Sequence, residues 1–255
     1  MIDIASGHPA IDRYLDERYA QVRGMSSRFA AAICGHIVRR QTELGIAGDI
    51  AEIGAFEGRF FIALALGLGP GEHALGIDLF DWPNERVLDR FIDNCAASGL
   101  ARERFTAWKQ QSRDIAPDAL RGKLQSETVR FFHIDGEHEH ASLSSDLELA
   151  HAVLHPQGII ALDDMLHPGY PTLITAVLDY LRRHPEMVVM AILDREDIVA
   201  AAKFLICRKD AVALYEQDLM TTFAPFHFIV GADVLGHFTL VLTPQPRLAD
   251  VGWET

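Results

Sequence analysis

The sequence predicts a doubly wound α/β fold, in which helices cover both faces of a mostly parallel sheet. Three observations carry this reading. First, strand-like apolar runs alternate with helical patterns from residue 48 to residue 185, as in a parallel sheet joined by right-handed crossovers. Second, Gly48-Asp49-Ile50-Ala51-Glu52-Ile53 ends in an acidic residue and passes into a turn with Gly54 and Gly58 four residues apart. Glycine has no Cβ and tolerates positive φ, so backbone at such a turn can approach a ligand closely. Third, Ala74-Leu75-Gly76-Ile77 ends in Asp78, twenty residues after Gly58. A glycine turn after strand one and a carboxylate after strand two mark the nucleotide-binding half of such a fold.

The elements follow in order. Residues 1–25 are polar and helical in character, and Phe29, Ile33, Ile37 and Val38 recur at helical period. After the first strand, Phe61 to Leu66 form a buried helix, stopped by Gly67, Gly69, Pro70 and Gly71. A helix is expected over 85–97 and a strand over 105–109. Val129 to Ile134 is a strand ending at Asp135. Ser144 to Leu154 is a helix closed by Pro156 and Gly158, and Ile159 to Leu162 is a strand ending at Asp163-Asp164. A helix over 170–184 precedes two last core strands, 188–193 and 203–207, expected as an antiparallel pair at the sheet edge. The tail holds a short helix and two strand-like runs, 226–230 and 237–242. Three regions result: an N-terminal helical segment (1–40), a Rossmann-like domain (41–208) and a C-terminal extension (209–255) acting as a lid or subunit contact.

Composition narrows the function. Of 255 residues, 49% are apolar, enough for a full core, and the formal charge is −13. Nucleic-acid binding needs clustered Lys and Arg, so nucleic acid is not expected as a partner. Small anionic ligands held by backbone N–H groups stay open. The cysteines Cys34, Cys95 and Cys207 form no C-x-x-C, which reads as free thiols in a reducing compartment. The N-terminus shows no signal-peptide pattern, and the longest apolar run, Phe60 to Leu68, is too short to cross a bilayer. The expectation is a cytoplasmic protein with no membrane partner.

In an open α/β sheet, ligands bind outside the carboxyl ends of the strands. Those ends supply Glu52, Asp78, Asp135, Asp163 and Asp164. Five carboxylates on one edge repel each other unless they are neutralised. Hydroxyls and an amino group of a cofactor can satisfy Glu52 and Asp78, and a hard cation can neutralise the other three. Turn residues and helix caps are the plainer roles for the same acids. Gln111 and Ser112 follow strand three, where an adenine would lie, and Trp82 is placed to flank it. His138, His140 and His167 lie on loops that can reach the site edge.

Glu52-Ile53-Gly54-Ala55-Phe56-Glu57-Gly58 resembles the first motif of the class I S-adenosylmethionine-dependent methyltransferases, and Asp78 matches their ribose-binding acid. The runs His133 to His138, Asp146-Leu147, Leu154 to Gly158 and Asp163-Asp164 are similar to the branch that includes the macrocin-type O-methyltransferases. The resemblance covers roughly residues 30–208. It implies a Mg²⁺ ion held by Asp135, Asp163 and Asp164, a substrate hydroxyl bound to that ion, and His138 as the base; His167, on the neighbouring loop, is the alternative by position alone. Cofactor contacts are expected from Glu52, Gly54, Gly58, Asp78, Trp82, Gln111, Ser112 and Asp135. Two positions depart from the branch: Phe60 stands where Ser is frequent, and Gln157-Gly158 where Gly-Gly is.

The sequence therefore reads as a metal-dependent O-methyltransferase acting on a small hydroxylated molecule, as a homodimer or higher homo-oligomer. The rivals are a metal-independent methyltransferase and a non-catalytic cofactor-binding protein. A nicotinamide-dependent dehydrogenase is disfavoured, because Phe56 fills the middle glycine position of G-x-G-x-x-G and no Tyr-x-x-x-Lys occurs.

Overall fold

The computed structural model describes residues 3–197, 199–228 and 230–245. Two helices come first, α1 (Pro9–Glu17) and α2 (Arg28–Glu43), the second capped by the Ser27 hydroxyl on the Ala30 N–H. Strands and helices then alternate: β1 (Asp49–Ile53), α3 (Arg59–Ala65), β2 (Ala74–Asp78), α4 (Val87–Ala97), β3 (Phe105–Lys109), α5 (Pro117–Arg121), β4 (Val129–Ile134), α6 (His140–Val153), β5 (Leu154–Met165) and α7 (Leu173–Arg183). The chain continues through β6 (Met187–Leu193), β7 (Ala202–Arg208), α8 (Glu216–Thr222), β8 (Ala232–Val234) and β9 (His237–Leu242).

These strands form one sheet in the order β3-β2-β1-β4-β5-β7-β6-β9-β8. The first five are mutually parallel, so their carboxyl ends share one rim. β7 runs antiparallel to both β5 and β6, and β9 is parallel to β6. The mixed α/β architecture with helices on both faces is thus the one the sequence predicts. The period-two alternation of strand residues divides the core. Phe131 packs with α2, α3 and α4 on one face, while Phe132 packs with α5, α6 and α7 on the other.

The structure differs from the expectations in local ways. β6 and β7 are not the edge: the hairpin β8–β9 continues the sheet beyond them. The helix expected from Ser144 begins at His140, and the strand expected from Ile159 reaches back to Leu154, with a register shift against β4 between Val129 and Phe131. Proline and glycine at 156 and 158 therefore sit within an irregular strand start rather than a helix stop. Of the strand-like run 226–230, Phe226 ends a 3₁₀ turn, His227 bridges Leu242, and Ile229 lies outside the described residues. All three cysteines are buried and unpaired. Among the described residues no helix is long and apolar enough to cross a membrane.

Candidate active site

The turn after β1 is held open by geometry that only glycine allows. Gly54 has φ of +82°, and a Cβ there would lie 1.8 Å from the Asp135 carbonyl oxygen. The β1 and β4 turns thus meet backbone to backbone, and the Asp135 N–H donates to the Ile53 carbonyl at 2.9 Å. Gly58, with φ of +92°, starts α3 and packs against Phe91. It aims the helix and does not line the pocket. Asp78 ends β2 and accepts from the Phe56 N–H at 2.8 Å and the Phe80 N–H at 2.6 Å. Burial raises its pKa, and these two N–H groups pull it back.

Two adjoining cavities follow the rim. One, of about 350 Å³, is lined by Asp78, Leu79, Asp81, Trp82, Gln111, Ser112 and the Asp135–Glu137 turn. The other, of about 380 Å³, is lined by Glu52, Gly54, Phe56, Arg59 and Phe60, by Asp78 and Asp135, and by Arg23 to Ser26 of the N-terminal segment, with His138 and Tyr170 at its far end. A third space, of about 300 Å³, holds Asp135, His138, Asp163, Asp164, His167 and Tyr170 together with Met25 and Val199. Every sequence-predicted site residue except Gly58 and His140 lines one of the three. The His140 Nε2 instead faces Asp179 at 3.3 Å on the surface.

The carboxylates are neutralised partly by a residue the sequence reading passed over as core. Lys203 on β7 is 1% exposed, and its ammonium pairs with Asp163. It also reaches Ser26 Oγ at 3.2 Å and His133 Nε2 at 3.0 Å, and lies 4.5 Å from the centre of the Phe60 ring. Phe60, one of the two departures from the resembled branch, is therefore the aromatic floor beneath this cation. Burial, the largest influence, pushes the Asp163 carboxyl up, but the Lys203 charge and hydrogen bond together with His133 hold the pKa below the ordinary value. Burial and the Lys203 charge push His133 well below its usual range, so the imidazole is neutral. A neutral His133 accepts from Lys203 at Nε2 and donates from Nδ1 to Glu52 Oε1 at 3.0 Å, a tautomer assigned from this network. Glu52 Oε2 is buried with no partner, an acceptor left for a ligand.

The remaining acids face the third space. Asp164 sits at φ of +57°, and its Oδ2 lies 2.5 Å from His138 Nε2. Two acceptors cannot approach so closely, so the pair shares a proton. His138 stacks on Tyr170 with centroids 4.1 Å apart, and His167 stacks on Tyr170 at 4.7 Å. Burial, then the neighbouring Asp163 charge, pushes the Asp135 pKa well up. Among the described residues its closest ion-pair partner is His138, at 4.0 Å. Two donor sets converge here, Asp135 with His138 and Asp164, and Asp135 with His133 and Asp163.

Residues 51–165 match the family model of a methyltransferase domain. Among solved structures, the chain is similar to the O-methyltransferase NovP, with 14% identity, a TM-score of 0.58, and coverage of 71% of this chain and 80% of that one. It is also similar to an O-methyltransferase from Bacillus cereus in complex with SAH, at 16% identity and TM-score 0.59, covering 79% and 91% of the two chains. A third is the O-methyltransferase TomG from Streptomyces achromogenes in complex with SAM, at 16% identity and TM-score 0.55, covering 78% and 89%. At these identities the structural likeness shows the fold. No curated protein sequence matches. The matched domain on this fold gives the class, a methyltransferase enzyme.

Proposed function

We propose that the protein transfers the methyl group of S-adenosylmethionine to a hydroxyl of a small molecule. One observation carries this: the cavities beside Asp78, Gly54 and Glu52 open directly onto the His138–Asp164 pair. In the reading we favour, Asp78 accepts ribose hydroxyls, the Gln111–Ser112 and Trp82 side receives adenine, and the orphaned Glu52 Oε2 accepts from the methionine end. The NovP, Bacillus cereus and TomG enzymes are O-methyltransferases by description, which supports oxygen as the acceptor.

Methyl transfer is an in-line displacement that needs the acceptor oxygen aligned and its proton removed. Asp164 holds His138 Nε2, which leaves Nδ1 to take that proton, and the imidazolium so formed is stabilised by the same carboxylate. Tyr170 fixes the ring plane by stacking. The donor set fits a divalent cation in part. Among the described residues Asp135 has no ion-pair partner closer than His138 at 4.0 Å and converges with Asp164, whereas Asp163, the third ligand implied by the resemblance, is committed to Lys203. A Mg²⁺ ion, when bound, would be held by Asp135 and Asp164 and would polarise the acceptor hydroxyl. The Lys203–Asp163 pair favours a second reading, in which the ammonium makes the metal unnecessary.

Calorimetry with S-adenosylhomocysteine, with and without Mg²⁺, tests the assignment. Binding should weaken by about 1–3 kcal/mol in Asp78→Ala, the loss of charge-assisted hydrogen bonds. Equal affinity in that variant, or tighter binding of NAD, refutes it. We further propose a homo-oligomer joined through the β8–β9 hairpin, where Val230, Leu235 and Phe238 are exposed, and a cytoplasmic location on the strength of the free thiols. A monomer by light scattering across micromolar concentrations overturns the first.

A further inference from the structure

On the rim opposite the carboxylates, three further donors converge. His151 lies in the last turn of α6, His184 caps the C-terminus of α7, and Glu186 immediately precedes β6. β6 runs parallel to β5, so its start lies at the far end of the sheet from Asp163. One donor atom from each of the three residues lies within 4.8 Å of the others. Glu186 Oε1 is 3.8 Å from His151 Nε2 and 3.6 Å from His184 Nδ1. Ligand atoms around a tetrahedral zinc, with bonds of about 2.0–2.1 Å, stand about 3.3 Å apart, so the two pairs that Glu186 makes need only a few tenths of an ångström of adjustment, and the two imidazoles close the rest by side-chain rotation.

The other ring nitrogens are engaged too. His151 Nδ1 meets the Tyr180 hydroxyl at 2.7 Å. His184 Nε2 lies 2.9 Å from Glu148 Oε2, and Arg183 donates to Glu148 at 2.9 Å. Outer partners of this kind fix ring orientation and raise ligand basicity at zinc sites. The turn itself is pinned, because the Met187 N–H donates to the His184 carbonyl and the Lys209 N–H to the Glu186 carbonyl. The side chains are part-buried, which leaves a fourth position for water.

We propose that His151, His184 and Glu186 form a zinc(II) site that clips the ends of α6 and α7 to the start of β6. Two imidazoles and one carboxylate suit zinc rather than the oxygen-seeking Mg²⁺. The site lies at the opposite rim and is separate from methyl transfer.

The full chain, stripped with chelator, is titrated with zinc sulfate by calorimetry and melted with and without zinc. The parent should bind one zinc more per chain than His151→Gln or Glu186→Gln. At about a hundredfold excess over Kd its melting temperature should rise roughly 5–10 °C, and the variants should lose most of that rise while keeping their zinc-free activity. Two variants guard against a fold defect in one. Anomalous diffraction at the zinc edge should place a peak between His151, His184 and Glu186. Equal stoichiometry and equal shifts in parent and both variants, or a peak confined to Asp135, His138 and Asp164, overturns the proposal.

Discussion

Replacing Lys203 by Met tests whether the buried cation is what makes the acidic rim tolerable. The methionine stem fills most of the lysine volume, so packing changes little while the charge disappears. Asp163, 6% exposed at its side chain, would then keep two hydrogen bonds, from the Ser26 hydroxyl to Oδ2 and from the Asp164 N–H to Oδ1, both at 2.9 Å, and no buried cation. His133 Nε2 would lose its donor as well. Breaking a buried pair by removing one partner costs about 3–5 kcal/mol, because it strands a charge away from water. That is a large share of a total stability of about 5–15 kcal/mol. Urea unfolding followed by circular dichroism at pH 7.5 should show a loss of this size in Lys203→Met. In Lys203→Met/Asp163→Asn the stranded charge is gone, and most of the loss should return. The double-mutant cycle then gives a coupling well above the few tenths of a kcal/mol seen for independent sites. A Lys203→Met protein within about 1 kcal/mol of the parent, or a double variant no better than the single, would falsify the reasoning.

Three other outcomes follow from the same geometry. His138→Ala should slow methyl transfer by roughly 10²–10⁴ with S-adenosylhomocysteine affinity nearly unchanged, while His167→Ala slows it far less; the reverse order in steady-state rates moves the base to His167. Exhaustive chelation should lower the rate and Mg²⁺ restore it; full activity in chelator instead gives the neutralising role to Lys203 alone. Asp146 is fully buried in α6, and burial pushes its carboxyl up to about 6, with Ser112 offsetting part of the rise. A raised carboxyl pKa favours the protonated folded state, so the cost is absent below about pH 3.8, grows as pH rises to about 6, and stays constant above. Asp146→Asn should therefore stabilise the protein by about 1–3 kcal/mol at pH 7.5 and by little near pH 4; equal effects at both pH values in urea melts would contradict the shift.

The parts of the site that could be read in the sequence are those attached to strand ends. Gly54, Asp78, Asp135 and Asp164 each follow an apolar run, and the doubly wound topology carries every such position to one rim. His138 follows by spacing from Asp135. Lys203, Ser26 and Tyr170 could not be placed that way. Ser26 and Tyr170 come from segments whose approach depends on how loops fold over the rim. Lys203 reaches it because β7 runs against β5, a direction that the alternation of strands and helices does not encode. A lysine inside the apolar run Ala202 to Cys207 was its one visible signal, since a charge in a fully buried strand needs a partner. The place of β9 beside β6 was hidden for a related reason: the run 237–242 reads as a strand, but its partner is set by the tail's path around α8.

The cavity walls come from two sources that are separate in the chain. In the proposed reading, sheet turns around Gly54, Asp78 and Gln111 form the donor half, whereas Arg23, Gly24, Met25 and Tyr170, which belong to no strand, close the acceptor half. Gly54 abuts the Asp135 carbonyl so tightly that the donor half tolerates almost no redesign. In the same reading the exposed Met25 carries no such interlock and can vary in size and polarity, whereas Arg23 pairs with Glu57 and lies over Phe56 of the turn itself. A library confined to Met25 and 166–169 would therefore sample new acceptors on a fixed donor platform, leaving Arg23 on the turn and Tyr170 on the His138 ring.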